Sequence, residues 1–301
     1  MKKILFLYNP KSGKGSIKEK ISDILEYYSS KNILTTVYAT QDVGDGREKI
    51  QEIGKDYDFI VVSGGDGTLD EIISGALKSD LNPTIGYIPT GSTNDFATTL
   101  EIPSDNLQRA VFLSIEGNTE SIDIGKLDDK YFVYVAAFGS FADISYETDQ
   151  GMKNIFGHAA YILEGLKTLT NLVTYNLDID IDGEIIKDEF ILGMITNTVS
   201  VGGFKGIISK EVELSDGKFE ITLIKKPKNI MDFNKIITSL GSDNKDDELI
   251  ITRKGTNIKI SSDKKIKWTL DGEYGGSEKN SEIQIVNKAI KINTGINIKN
   301  N

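Results

Sequence analysis

Over residues 1–122, short apolar runs alternate with stretches whose apolar positions recur every three or four residues. That rhythm predicts strands alternating with helices. Ile4–Tyr8, Thr35–Ala39, Phe59–Ser63 and Thr84–Pro89 read as strands. Ile17, Ile21, Ile24, Leu25 and Tyr28 share one helix face, and Arg47–Lys55, Leu69–Leu77, Phe96–Leu100 and Leu107–Ile115 read as further helices. Ser16 with Glu19, and Thr68 with Glu71, have the spacing of helix capping boxes. Continuous apolar strands of this kind belong to parallel sheets covered on both faces.

After Ile122 the pattern shortens and alternates with period two. Tyr131–Ala137, Thr174–Ile181, Glu184–Ile195, Phe219–Ile224, Glu248–Ile251, Asn257–Ile260, Lys265–Leu270 and Glu282–Val286 read as strands, with helices at Ala159–Leu169 and Ile230–Leu240. Asp182-Gly183 is a hairpin signal between two of them. The fold class expected is therefore an α/β N-terminal domain, Rossmann-like, over 1–122, followed by an antiparallel β-sandwich domain over 123–286. No Pro- or Ser-rich linker separates them.

Composition then removes several classes of function. The 301 residues contain no cysteine, which excludes disulfides, zinc ribbons and thiolate catalysis. The single histidine, His158, excludes a His-rich metal site and reads as a packing or helix-end residue. Acidic residues outnumber basic ones 45 to 35, for a net charge of −10, so nucleic acid is not an expected partner. No apolar run has the length of a signal-peptide core or a membrane span. A cytoplasmic protein is expected, with any membrane contact local.

Three strand ends carry glycine- and serine-rich turns: Asn9-Pro10-Lys11-Ser12-Gly13-Lys14-Gly15, Gly64-Gly65-Asp66-Gly67-Thr68 and Gly91-Ser92-Thr93-Asn94-Asp95. In a parallel sheet these gather on one edge, the edge that binds ligands in open α/β folds. Backbone N–H groups and a helix dipole there suit a phosphate, and Asp66 suits the magnesium ion that accompanies it. A bare turn that binds nothing is the competing reading. Familiar nucleotide fingerprints fail: the P-loop glycine is replaced by Tyr8, and each G-x-G lacks its final glycine, at Lys18, Lys49 and Asp70. Asp271-Gly272-Glu273 taken alone is a hairpin turn, and Leu214-Ser215-Asp216-Gly217 a plain turn with a cation site as the minor alternative.

Asn9-Pro10-x-Ser12-Gly13-x-Gly15, Gly64-Gly65-Asp66-Gly67-Thr68, Gly91-Ser92-x-Asn94-Asp95-Phe96-Ala97, Ser215-Asp216-Gly217 and Asp271-Gly272-Glu273 occur in that order along the chain. Together they resemble the bacterial lipid kinases of the diacylglycerol kinase/YegS/BmrU type, relatives of sphingosine and ceramide kinases. The resemblance implies ATP and a lipid meeting in an interdomain cleft, and a tail over about 287–301 that returns to the first domain. Asn9, Pro10, Lys11, Ser12, Gly13, Thr40, Gly64, Gly65, Asp66, Gly67, Thr68, Leu69, Asp70 and Ser92 would line the nucleotide. Asp66 and Asp95 would act near phosphates and Mg2+. Glu273 would accept the proton, supported by Asp271 and Asp123. Asp216, with the backbone carbonyls of Glu213 and Lys218, would hold a structural magnesium ion. Asp70 stands where the family often has Asn, and Ser92 where Thr is usual.

The activity so implied is an ATP- and Mg2+-dependent transfer of the γ-phosphoryl group to the hydroxyl of diacylglycerol or a related lipid. Contact with the membrane would be peripheral and transient, at its inner face, and a homodimer stays open. Acyl chains would lie in the β domain, where Phe138, Phe141, Ile155, Phe156, Tyr161, Ile162 and Leu166 are pocket candidates and equally core candidates. Two alternatives remain: a kinase of a water-soluble substrate resembling NAD kinase, and a non-catalytic regulator that binds lipid or nucleotide.

Overall fold

The computed structural model describes residues 1–13, 16–139, 172–201, 212–240 and 248–296. The chain divides into two compact units, Met1–Ile122 with the stretch from Lys288 onward, and Asp123–Asn287.

In the first unit, β1 (Lys2–Tyr8), β2 (Ile33–Ala39), β3 (Phe59–Gly64) and β4 (Thr84–Pro89) run parallel in the order β2-β1-β3-β4. Ile4 to Leu7 and Ile60 to Val62 are fully buried, as expected for strands covered on both faces. The cover comes from α1 (Ile21–Ser30), α2 (Asp45–Ile53), α3 (Asp66–Lys78), α4 (Asp95–Thr99) and α5 (Leu107–Glu116).

Neither capping box forms. Ser16–Lys20 makes a 3₁₀ turn, and α1 starts only at Ile21 without a side-chain cap. α3 starts at Asp66, so Thr68 lies inside its first turn.

The second unit is antiparallel. It contains β6 (Lys130–Phe132), β7 (Val135–Gly139), β8 (Tyr175–Ile181), β9 (Glu184–Thr196), β10 (Phe219–Lys225), helix α6 (Ile230–Leu240), β11 (Ile250–Gly255) and β12 (Asn257–Leu270). Before them, β5 (Asn118–Leu127) leads out of the first unit, and after them β13 (Glu273–Thr294) leads back. Strand order is β11-β10-β9-β7-β12-β13, with β8 pairing both β9 and β12 and β5 pairing β6. The core holds Leu127, Phe132, Phe190, Phe219 and Trp268. Phe138 belongs to it as well: it is fully buried, edge-on to Trp268 with ring centroids 5.1 Å apart. The other acyl-pocket candidates, His158 and the helix expected at 159–169 lie outside the described residues.

Four departures from the sequence pattern have physical causes. The strand expected over Tyr131–Ala137 is broken at Val133-Tyr134, because those N–H groups are taken by a side chain described below. The two runs at 257–260 and 265–270 form one strand, β12, with a register shift between Ser261 and Ile266. β5 carries no clean alternation, since Asp123 and Gly125 are buried within it. β13 is 22 residues long, far beyond Glu282–Val286, and its final part pairs in parallel with β4 (Lys291 opposite Thr84, Ile292 opposite Ile85). Asn293 Nδ2 donates to the Ser114 carbonyl at 2.9 Å, and the Gly295 N–H to that of Leu100 at 2.8 Å, which anchors this return.

Candidate active site

β1, β3 and β4 are adjacent and parallel, so their C-terminal ends bring three turns together. The Asn9 N–H donates to the Ser63 carbonyl at 2.8 Å, and the N–H groups of Thr90 and Gly91 to that of Gly64 at 2.8 and 3.2 Å. Asn9 Nδ2 reaches Thr68 Oγ1 at 3.3 Å. The turns pack as closely as glycine allows. A Cβ on Gly91 would lie 2.5 Å from the Gly65 Cα and 2.7 Å from Asn94 Oδ1. Gly13 has φ +57°, and a Cβ there would strike the Thr90 carbonyl oxygen. Thr90 Oγ1 and Asn94 Oδ1 are buried without a hydrogen-bond partner among the described residues.

α3 begins directly under this assembly. Gly65 holds its N-cap position in extended conformation, with no side-chain cap. The Thr68 and Leu69 N–H groups close on the Gly65 carbonyl at 3.1 and 3.2 Å, and the positive end of the helix dipole at this turn suits an anion. Thr68 and Glu71 are employed elsewhere: Thr68 accepts from Asn9, and Glu71 Oε1 from the Gly44 N–H at 2.8 Å. Leu69 is buried, so only its backbone faces the turn. Thr40 is also buried, and its N–H donates to the Tyr8 carbonyl at 2.9 Å. Lys11 donates through Nζ to the Gln41 carbonyl at 3.1 Å. Pro10 and Ser12 are half-buried and Ser92 is exposed. Asp70 Oδ1 accepts from the Ser74 hydroxyl at 3.2 Å.

Asp66 does more than sit in a turn. Its carboxylate accepts the N–H groups of Asp95 at 3.0 Å and Phe96 at 3.3 Å, capping α4. Asn94 takes a left-handed φ of 51° to present them. Asp95 is buried. Tyr87, fully buried on β4, has its phenol pushed well above the usual range, by desolvation first and then by the negative charges of Asp66 and Asp95. The two carboxylates thus share one neighbourhood. As hard oxygen donors beside uncapped amides, they fit a magnesium ion carrying a phosphate.

In the second unit, Asp271 (φ +48°) and Gly272 (φ +92°) form the two-residue turn between β12 and β13, and Leu270 pairs with Glu273. Positive φ at both turn positions matches the right-handed twist of a hairpin. The Asp271 carboxylate is buried and accepts three backbone N–H groups: Val133 at 2.5 Å, Tyr134 at 3.0 Å and Val135 at 2.9 Å. This clamp is what separates β6 from β7. Glu273, two residues on, is exposed. Asp123 is fully buried, and its Oδ2 accepts the Gly217 N–H at 2.6 Å. It therefore holds the Ser215-Asp216-Gly217 turn. Asp216 Oδ1 in turn accepts the Lys218 N–H at 2.9 Å, while Glu213, exposed, precedes the turn.

Sequence reasoning missed Lys254 and Glu220, which lie beside Asp216. Burial pushes the Glu220 carboxyl up, partly offset by Lys254. Burial alone would lower the Lys254 ammonium. Its bond to Glu220 and the charges of Glu220, Asp216 and Glu213 raise it instead. Only a charged residue inside the apolar run Phe219–Ile224 could have signalled the pair.

Known proteins share this design. Residues 3–127 match the model of the diacylglycerol kinase catalytic domain, and residues 135–294 that of the YegS C-terminal NAD kinase beta sandwich-like domain. The diacylglycerol kinase of Bacillus subtilis (strain 168) is 34% identical over 92% of this chain and 91% of its own length. That of Staphylococcus carnosus (strain TM300) is 34% identical over 91% of this chain and 90% of its own. A crystal structure assigned as a diacylglycerol kinase from Bacillus anthracis str. Sterne superposes with a TM-score of 0.83 at 26% identity, covering 97% of this chain and 95% of that one. Among the described residues, no helix is long and apolar enough to cross a membrane. With both halves matched in order, the chain belongs to the diacylglycerol kinase family of lipid kinases.

Proposed function

We propose that the chain transfers the γ-phosphoryl group of ATP to the hydroxyl of diacylglycerol or a closely related lipid, with Mg2+ bound to the nucleotide. The observation that carries this reading is the N-terminus of α3, without a side-chain cap and framed by Gly65 and by Gly91, where a Cβ would lie 2.5 Å from the Gly65 Cα. Asn9 to Gly13, Thr40, Gly64 to Asp70 and Ser92 line the nucleotide in this account. Their amides fix the triphosphate and cost no reorganisation during transfer. Asp66 and Asp95 would hold the magnesium ion, which neutralises charge on the transferring group. Glu273 takes the proton of the lipid hydroxyl. The hydroxyl oxygen bonds to the γ-phosphorus, the bond from phosphorus to the bridging β–γ oxygen breaks, and ADP leaves.

The exposure of Glu273 suits a base that must meet a bulky acceptor, and the buried clamp at Asp271 fixes the turn that presents it. Asp271 and Asp123 act as positioning residues, since both carboxylates are bonded to backbone amides. Contact with the bilayer is peripheral and lasts for the capture of an acceptor. Asp70 adds negative charge beside the phosphates and strengthens the need for a metal ion.

Incubation with γ-labelled ATP, Mg2+ and a membrane lipid extract tests the reading. Label should enter the organic phase as a phosphomonoester, with diacylglycerol the leading acceptor. Label confined to the aqueous phase on a defined acceptor would favour a soluble substrate. No transfer to diacylglycerol, monoacylglycerol, phosphatidylglycerol, sphingoid or prenol acceptors would reject the lipid kinase assignment.

A further inference from the structure

We infer that Tyr87 is a positioning residue for the nucleotide: its hydroxyl locks the Gly64–Gly65 peptide with the carbonyl turned toward β4 and the N–H turned toward the phosphates. The inference rests on the reading of the Gly64–Thr68 turn as a phosphate site. Tyr87 stands on β4 opposite Val62 of β3, two residues short of the strand end. It is fully buried, and its Oη donates to the Gly64 carbonyl at 3.3 Å. That oxygen also accepts the N–H groups of Thr90 and Gly91 at 2.8 and 3.2 Å. Two backbone donors and one side chain thus converge on a single carbonyl.

A peptide between two glycines needs such a lock. Neither side carries a Cβ to oppose rotation, and glycine accepts positive and negative φ alike. A flip here would aim a carbonyl oxygen at the ligand's negative charge and withdraw a donor from it. In a planar trans peptide the N–H points opposite to the C=O. β3 has β4 on one side and β1 on the other. Fixing the Gly64 carbonyl toward β4 therefore directs the Gly65 N–H to the side of the Asn9–Gly13 turn. Among the described residues no partner takes that N–H, which leaves it to an anion. Tyr87 is the side chain that ties this choice to the core. Its hydroxyl also keeps its proton, because burial and then the charges of Asp66 and Asp95 oppose ionisation.

Calorimetric titration of the full chain with ATP and Mg2+, together with steady-state kinetics on diacylglycerol, tests this in Tyr87→Phe. Tyr28→Phe is the control. Tyr28 is likewise fully buried in the first unit, and its hydroxyl pairs with Ser114 Oγ at 2.7 Å, sharing no bond with the glycine turns. Each variant loses one buried hydroxyl, and both should melt a few degrees lower than wild type. Only Tyr87→Phe should raise the Kd and KM for ATP, by about 5–10-fold, the worth of one hydrogen bond. Its kcat and its KM for diacylglycerol should stay at the wild-type values. Tyr87→Met, which also lacks the hydroxyl, takes its place if Tyr87→Phe does not fold. Unchanged ATP affinity in the Tyr87 variant would overturn the inference. So would an equal loss in Tyr28→Phe, which would mark general loosening, or a fall in kcat with KM for ATP unchanged. Wild type that binds no ATP would instead reject the nucleotide reading of the turn, and this inference with it.

Discussion

The turn at Gly64–Thr68 and the turn at Asp271–Glu273 use similar residues to opposite ends. In the first, side chains are committed to neighbouring turns and the helix start has no side-chain cap: Asp66 caps α4, Thr68 accepts from Asn9, and no side chain caps α3. In the second, backbone amides are taken by a buried carboxylate and the next carboxylate is exposed: Asp271 gathers three N–H groups, and Glu273 lies at the surface. An anionic ligand needs the first arrangement and a proton acceptor the second. Glycine and aspartate in a turn therefore do not name a role; the direction of the hydrogen bonds does.

The sharpest way to break this contrast is to alter the two carboxylates of the second turn separately. Glu273→Gln should lower turnover on the order of 10²–10⁴-fold, with ATP affinity and melting midpoint unchanged. An active Glu273→Gln enzyme would remove the base from the account. Asp271→Asn should do the reverse in kind, placing an amide NH2 where the Val133 N–H now donates. A loss on the order of 2–4 kcal/mol of stability is expected for hydrogen bonds to a buried charged group. Trp268, the one tryptophan of the chain and part of the second unit's core, reports it by fluorescence. If Asp271→Asn melts like wild type, the clamp contributes nothing.

In the first turn the backbone itself has to be disturbed. Gly91→Ala forces a methyl against Gly65 and should weaken ATP binding about 10-fold or more, the equivalent of a displacement costing over 1 kcal/mol. Calorimetric titration with ATP and Mg2+ reads this, and unchanged affinity would detach the Gly65–Gly91 contact from nucleotide binding. The smallest expected effect lies away from both turns. The Tyr27 hydroxyl donates to Glu116 at 2.5 Å, and burial first, then Glu116, pushes its phenol up to about 12 from 10.0. A raised folded value means the contribution is complete below about pH 10 and lost as pH climbs through 12. Tyr27→Phe should flatten that part of the alkaline stability curve, without altering turnover at neutral pH. Parallel alkaline melting curves for the two proteins would contradict it.

The strands of the first unit could be read from the sequence because each is a short buried run, and such runs carry their own signature. The three glycine turns were legible for the same reason: they sit at the ends of those runs. What could not be read depends on partners distant in sequence. Val133-Tyr134 looks like continuous strand until Asp271, more than a hundred residues later, removes its amides. Thr68 and Glu71 have the spacing of a cap, but the helix already starts at Asp66 behind an extended Gly65, and Asn9 and Gly44 claim the two side chains. β13 is hidden because the polar stretch Ser277–Ser281 interrupts its apolar signal, while its pairing with β12 continues through it. Lys254 opposite Glu220 is a matter of register between strands, which no local pattern encodes.

β13 has a consequence for how the molecule comes into being. Among the described residues, Thr84 and Ile85 of β4 find their outer partners in Lys291 and Ile292. A ribosome delivering this chain in order would thus release nearly all of the first unit's sheet long before the strand that borders it exists. Until then β4 is an unprotected edge, open to pairing with other chains. The domain begun earliest is thus closed only after the second unit has been synthesised, with Lys291 and Ile292 as its seam.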